Sequence, residues 1–251
     1  MRIDIKELHF SYTKEKETLK GISCSFHEKK FTAIIGSNGC GKTTLIKCIN
    51  KINSYSKGII RLDGTDISSI RRQEIAKKIG YVPQMSGLSM KCTVMEFVLM
   101  GRIQYLGWSV KRSDIEAVAR TLERLEIESL SDSLYSELSG GQRQKVLVAR
   151  ALMQDSEVYL FDEPTSNLDL KNEMEIMELA ESIVRKQGKS VIMVVHDLNM
   201  ALHYADEVVL MKDGLVIKEG RAAEIINSRT VEEVYGIPVR IENCGYVNPF
   251  I

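Results

Sequence analysis

Gly36-Ser37-Asn38-Gly39-Cys40-Gly41-Lys42-Thr43-Thr44 follows directly on the apolar run of residues 31–35. The stretch meets the phosphate-cradling pattern G-x-x-x-x-G-K-[ST] at each fixed position. The chemistry needs these residue types. Glycines let successive backbone N–H groups turn inward on a polyphosphate, and a helix starting near Lys42 adds its positive N-terminal end. Lys42 supplies a point charge for the β- and γ-phosphates, and the Thr43 hydroxyl can ligate Mg²⁺. A glycine-rich turn before an ordinary helix would look similar in isolation. The buried-strand run in front and the helical stretch of residues 44–49 behind favour the phosphate loop.

At 251 residues the chain is long enough for one large α/β domain or two modest lobes. Acidic and basic side chains balance at 34 each, so no global field marks a binder of DNA or of an anionic membrane. No run approaches the roughly 18 apolar residues that a membrane-spanning helix needs. Met1-Arg2-Ile3-Asp4-Ile5 carries charge where a signal peptide needs an apolar core, which predicts a soluble, cytoplasmic chain. Cys24, Cys40, Cys48, Cys92 and Cys244 are odd in number, scattered and without a C-x-x-C pair. Reduced thiols suit them better than disulfides or a zinc site. Cys40, inside the phosphate loop, raises the expectation of sensitivity to thiol reagents. Four histidines without mutual spacing argue against a metal cluster.

Near the N-terminus the pattern is that of strands. Ile3, Ile5, Leu8 and Phe10 loosely alternate, Ile22, Cys24 and Phe26 alternate strictly, and residues 31–35 are apolar without a break. Residues 59–67 predict a strand pair turning at Asp63-Gly64, and residues 79–82 a short strand stopped by Pro83. From about residue 93 to 153 the reading is almost wholly helical. Thr93-x-x-Glu96 and Ser113-x-x-Glu116 predict capping boxes, and Ile115, Val118, Ala119, Leu122 and Leu125 predict one helix face. Strand character returns at 158–161. A helix over 170–186 ending at Gly188, a strand over 191–195, a helix over 198–205, a hairpin turning at Asp213-Gly214 and a short helix around 231–235 complete the reading.

Val158-Tyr159-Leu160-Phe161-Asp162-Glu163 is an apolar strand ending in two adjacent carboxylates. A strand this apolar is buried on both faces, so its C-terminal end lies where parallel α/β sheets bind ligands. Asp162 can hold Mg²⁺ opposite Thr43, and Glu163 can orient or deprotonate a water. Leu138-Ser139-Gly140-Gly141-Gln142-Arg143-Gln144 opens the helix running to Met153. Ser139 and Gln142 form a capping box, and Gly140-Gly141 exposes the first backbone N–H groups. That makes a second anion site, for which a single chain has no obvious use.

In order along the chain, these segments resemble the nucleotide-binding subunit of an ABC transporter. Walker A is 36–44, the signature 138–142, and Walker B 158–162 with Glu163 behind it. Pro83-Gln84 stands where the Q-loop belongs, Ser166-Asn167-Leu168-Asp169 is similar to the D-loop, and His196 follows a buried strand as the switch histidine does. The resemblance spans about residues 3–220. It implies a single ABC ATP-binding domain over 1–251: an α/β P-loop NTPase core, an antiparallel β subdomain and an all-helical subdomain inserted at about 85–157. It also implies an ATPase that forms a homodimer with its subunits head to tail. Each ATP would then lie between one phosphate loop (Gly36, Ser37, Asn38, Gly39, Cys40, Gly41, Lys42, Thr43, Thr44) and the partner's signature motif, made of this chain's Ser139, Gly140, Gly141 and Gln142. Tyr12 falls where the family stacks an aromatic ring on adenine. Gln84 would touch Mg²⁺ and the attacking water, His196 the γ-phosphate, and Asp169 would report across the dimer. Catalysis is thus expected from Glu163, His196, Gln84 and Lys42, and Mg²⁺ binding from Thr43, Gln84 and Asp162.

A transport role implies two separate membrane permease subunits, with the ATPase peripheral at the cytoplasmic face and an extracytoplasmic solute-binding protein involved indirectly. The apolar and aromatic residues 98–108, collared by Lys111-Arg112, suit docking of a permease helix; the lone Trp108 would suit the core equally. Gly101-Arg102, His196-Asp197-Leu198-Asn199-x-Ala201 and Val234-Tyr235-Gly236-Ile237-Pro238-Val239 are most similar to importer ATPases for iron(III)–siderophore complexes, with haem and cobalamin relatives. Comparable Gly-Arg segments in manganese and zinc importer ATPases keep metal-ion import open. A DNA-repair or translation ATPase would bring coiled-coil insertions, a second cassette or a basic surface, so no nucleic-acid partner is expected. A small-molecule kinase would not explain 138–142, and a pure scaffold is excluded if Lys42→Ala abolishes ATP hydrolysis.

Overall fold

The computed structural model describes residues 1–84, 90–105, 110–166, 168–241 and 247–249. Leu106, Gly107 and Trp108 of the apolar stretch, Asn167 of the 166–169 segment, and Cys244 lie outside the described residues.

Two strands open the chain, β1 (Ile3–Thr13) and β2 (Lys16–Phe26). The uneven spacing of Ile3, Ile5, Leu8 and Phe10 has a local cause. All four are buried, but the register against β2 shifts between Ile5 and Leu8, where Glu7 adopts φ 49°. A bulge inserts one residue and re-aims the side chains after it, so both halves of β1 bury the same face. After β3 (Phe31–Gly36) and α1 (Lys42–Ile49) come β4 (Lys57–Leu62) and β5 (Thr65–Asp66). These turn at Asp63-Gly64 as expected, with positive φ at both central residues. The order β2-β1-β4-β5 makes a four-stranded antiparallel sheet.

The second sheet uses β3, β6 (Ile79–Val82), β7 (Val158–Phe161), β8 (Ser190–Val194), β9 (Glu207–Lys212) and β10 (Leu215–Arg221), ordered β10-β9-β3-β8-β7-β6. All pairings are parallel except the edge hairpin β9–β10, which turns at Asp213-Gly214. Alternate side chains divide two cores. Ala33, Tyr159, Phe161, Met193 and Leu210 face one apolar cluster, while Ile34, Leu160, Ile192, Val194 and Met211 face another shared with the antiparallel sheet and α1. Burial on both faces is why these strands read as continuous apolar runs.

Between β6 and β7 the described helices are α3 (Val94–Leu99), α4 (Arg112–Arg124) and α5 (Gly140–Leu152). The Thr93 capping box forms: Glu96 N–H donates to Thr93 Oγ1 at 3.2 Å and Thr93 N–H to Glu96 Oε2 at 2.8 Å. The Ser113–Glu116 box does not. Lys111 precedes the first turn, and its N–H donates to Asp114 Oδ2 at 3.1 Å while Arg102 approaches the other oxygen at 3.4 Å. With Asp114 drawn inward, the buried face becomes Asp114, Val118, Leu122 and Leu125; Ala119 is exposed and Ile115 is 44% exposed. Beyond β7 lie α6 (Leu170–Gln187), α7 (Leu198–Tyr204) and α9 (Ser228–Tyr235), in line with the sequence. Three pieces were not anticipated: α2 (Arg72–Lys78), α8 (Ala222–Ile225) and the hairpin of β11 (Val239–Ile241) with β12 (Val247–Pro249). Among the described residues no helix is long and apolar enough to cross a membrane.

Candidate active site

β3, β6, β7 and β8 run parallel, so Gly36, Val82, Phe161 and Val194 end at one edge of the sheet, where such folds bind ligands. The loop leaving β3 is built tightly. Gly36 sits at φ 148°, and a Cβ there would stand 2.1 Å from the Met211 carbonyl oxygen on β9. Lys42 is buried, and its ammonium donates to the Gly36 and Ser37 carbonyls at 2.8 and 3.0 Å. The helix that follows has no capping side chain and no acidic residue in its first turn. Its first N–H groups are therefore left for an external acceptor, with the positive helix end behind them. Together with Lys42 they fit a polyphosphate.

Tyr12 lies beside this loop, its hydroxyl 3.3 Å from Thr44 Oγ1 and accepting from Asn53 Nδ2 at 3.3 Å. The ring meets Phe10 edge-on with centroids 4.8 Å apart, yet the residue is 61% exposed. An aromatic face held at its edge and open to solvent suits stacking of a flat base.

At the end of β7, Asp162 N–H donates to Val82 O at 2.9 Å, which fixes its backbone against β6. Thr43 Oγ1 donates to Asp162 Oδ1 at 2.6 Å, and Tyr81 Oη donates to Oδ2 at 3.3 Å. Burial pushes the Asp162 carboxyl above its ordinary value, opposed by the Thr43 hydrogen bond and by the charge of Lys47. Hydroxyl and carboxylate oxygens side by side are a donor set that suits Mg²⁺. Two protein oxygens fill only part of an octahedral Mg²⁺ shell and leave the rest to water or phosphate oxygens. Glu163 follows with the unusual φ of 51°. Gln84 Nε2 donates to its Oε2 at 2.7 Å, and His196 Nε2 lies 2.9 Å from its Oε1. Gln84 and His196, from remote parts of the sequence, thus meet at the Glu163 carboxylate, next to Asp162 and Thr43.

The signature segment forms its own small assembly. Gln142 N–H donates to Ser139 Oγ at 3.3 Å and Ser139 N–H to Gln142 Oε1 at 2.9 Å, capping α5 with Gly140 and Gly141 in its first turn. Asp169 caps α6, accepting from the backbone and side-chain N–H groups of Asn172 at 2.9 and 2.8 Å. The Asn172 backbone bond leads the contacts that hold the Asp169 carboxyl below its ordinary value. The Asn172 amide also covers Gly141, where a Cβ would stand 3.0 Å from Nδ2. Asn172 joins the two segments and was missed in the sequence, as were Tyr81 and Asn53. Among the described residues no hydrogen bond ties 139–142 to the phosphate loop.

The expectation for Cys40 is corrected. It is 3% exposed, and burial pushes its thiol upward despite nearby Lys42, so the reactive thiolate is scarce. Iodoacetamide at pH 7.5 is expected to leave Cys40 unmodified in the folded protein and to label it in denaturant. Peptide mapping showing rapid labelling of the folded form would contradict this.

Residues 19–166 match the family model described as ABC transporter. An uncharacterized ABC transporter ATP-binding protein of Methanocaldococcus jannaschii is 41% identical over 243 residues, covering 97% of this chain and 94% of that protein. The petrobactin import ATP-binding protein of Bacillus subtilis is 33% identical over 227 residues, covering 90% of each. A structure of an inward-facing transporter assigned to the metal-chelate type aligns with a TM-score of 0.84 at 25% identity, covering 99% of this chain and 97% of that one.

Proposed function

Because the chain belongs to the ABC transporter family, and is one of its transport-coupled ATPases, we propose that it powers import of an iron(III)–siderophore-type chelate through a separate membrane permease. The observation that carries the mechanism is the Glu163 carboxylate, met by Gln84 and His196 beside the Thr43–Asp162 pair. Lys42 leaves its two carbonyl partners for the β- and γ-phosphates, where its charge is neutralised more fully. Glu163 accepts the proton of the attacking water. Gln84 and His196 fix the rotation of that carboxylate, and His196 hydrogen-bonds the γ-phosphate once ATP is bound. Mg²⁺ would be held by Thr43, Asp162 and Gln84 and would neutralise phosphate charge there. The chain is read as one ATP-binding unit over 1–251 with its helical subdomain at about 85–157.

The second anion site finds its use in a homodimer. Ser139, Gly140, Gly141 and Gln142 then serve the partner's ATP, and Asp169, tied to Gly141 through Asn172, carries its occupancy between sites. The permease is expected against the exposed apolar residues of the helical region, among them Ile103 at 70% exposure with Met100, Tyr105 and Val110. On this reading the subunit works at the cytoplasmic face, beneath two permease subunits, with a solute-binding protein acting on the far side. No residue of an ATPase touches the solute; the reading rests on similarity to a petrobactin import protein and a metal-chelate-type transporter.

The test is uptake of labelled iron(III)–siderophore, haem, cobalamin and manganese by cells whose sole copy carries Lys42→Ala. Selective loss of the siderophore chelate is expected. Selective loss of manganese, haem or cobalamin instead moves the protein to that branch, and undiminished uptake of all four overturns the importer reading.

A further inference from the structure

Asp162 has two carboxylate oxygens, and the structure gives each its own hydroxyl. Oδ1 accepts a hydrogen bond from the Thr43 hydroxyl at 2.6 Å and Oδ2 one from the Tyr81 hydroxyl at 3.3 Å. The mechanism above uses Thr43 and leaves Tyr81 without a role. We propose that Tyr81 is a positioning residue that sets the orientation of the Asp162 carboxylate and thereby the affinity of the ATP site for its divalent cation. The proposal rests on the ATP-site reading given above.

The geometry follows from the sheet. Tyr81 on β6 pairs in register with Leu160 on β7, and Asp162 lies two residues beyond Leu160. Residues offset by two across neighbouring strands share a face and lie within reach of an aromatic side chain. The phenol therefore extends along the sheet to the carboxylate at the strand end. Its own backbone is anchored, because Tyr81 N–H donates to Gln154 Oε1 at 3.2 Å and the next residue, Val82, accepts from Asp162 N–H at 2.9 Å. Tyr81 is half-buried and Asp162 is buried, so this hydrogen bond faces little competition from water.

A carboxylate turning freely about χ2 presents either oxygen. With Oδ2 held by Tyr81, Oδ1 stays beside Thr43, and hydroxyl and Oδ1 face one point together. β6 and its continuation thus touch both acidic groups of the site, Asp162 through Tyr81 and Glu163 through Gln84. A phenylalanine would occupy the same volume and pair with Leu160 equally well, so packing alone leaves the hydroxyl unexplained.

The test is Tyr81→Phe in the full-length protein, with Mn²⁺ uptake in the presence of ATP followed by electron paramagnetic resonance. Binding of ATP in EDTA, by fluorescent-nucleotide displacement, and the melting temperature are measured alongside. Loss of one hydrogen bond to a charged group is expected to weaken Mn²⁺ about tenfold. ATP binding in EDTA should stay within about twofold, the range of a bond not made to the nucleotide. Unchanged Mn²⁺ affinity in the variant overturns the proposal. So does an equal loss in EDTA, which would assign the tyrosine to nucleotide binding or to the fold. A parent protein that binds ATP but takes up no Mn²⁺ with it overturns the cation reading of the site, and the role of Tyr81 with it.

Discussion

Glu163→Gln is expected to bind ATP as the parent does and to hydrolyse it about 10²–10⁴-fold more slowly, the scale of a lost general base. The side chain keeps its length and shape while losing the ability to take a proton. Its present partners are Gln84 Nε2 and His196 Nε2, one on each oxygen. An amide can still accept from Gln84 through its oxygen and donate to His196, whose imidazole can adopt the tautomer with an unprotonated Nε2. The site therefore remains assembled without its proposed base. Steady-state phosphate release and fluorescent-nucleotide binding, measured on one preparation, separate the two effects. Hydrolysis near the parental rate would remove Glu163 from the chemistry.

Gly36→Ala should act on the fold as well as the site. The added methyl would stand 2.1 Å from the Met211 carbonyl oxygen, well inside contact distance, and the backbone sits at φ 148°. Met211 belongs to β9, which pairs directly with β3 at this residue, so neither strand can withdraw without opening the parallel ladder. A loss on the order of 4–5 kcal/mol is expected, the range reached when a tight backbone contact and a strained φ coincide. ATP binding would go with it, because the loop leaves β3 at this position. Gly39 provides the contrast: its φ is 76°, but nothing lies within 4 Å of the added methyl. Gly39→Ala should lose only about 1–2 kcal/mol, for a left-handed backbone alone. Urea unfolding of both variants checks the ranking. A Gly36→Ala protein within about 1 kcal/mol of the parent would refute the steric argument.

The parts of this molecule written in local spacing were legible in the sequence. The apolar run into Gly36, the capping box at Ser139 and the paired acids after Phe161 each depend on neighbours a few residues away. Features set by distant partners were not. The start of α4 moved because Asp114 found Lys111 N–H and Arg102, and no pattern within the helix announces Arg102. Tyr81 gains meaning only when β6 lies beside β7, and Asn172 only when α6 lies beside α5. Cys40 misled because burial, which decides a thiol's reactivity, cannot be read from a position in a motif. The hairpin β11–β12 is three residues a side, too short for periodicity. It is docked by Asn199, whose amide accepts from Val247 N–H at 2.7 Å, 48 residues away.

Glu163 holds its carboxylate on a left-handed backbone, a conformation that a glycine would occupy with about 1–2 kcal/mol less strain. The position therefore sets durability against work. Heat challenge alone would reward relief of that strain at the residue proposed to take the proton from water. Laboratory evolution toward a hardier form must demand phosphate release in every round, or it will converge on a robust nucleotide binder that no longer turns over.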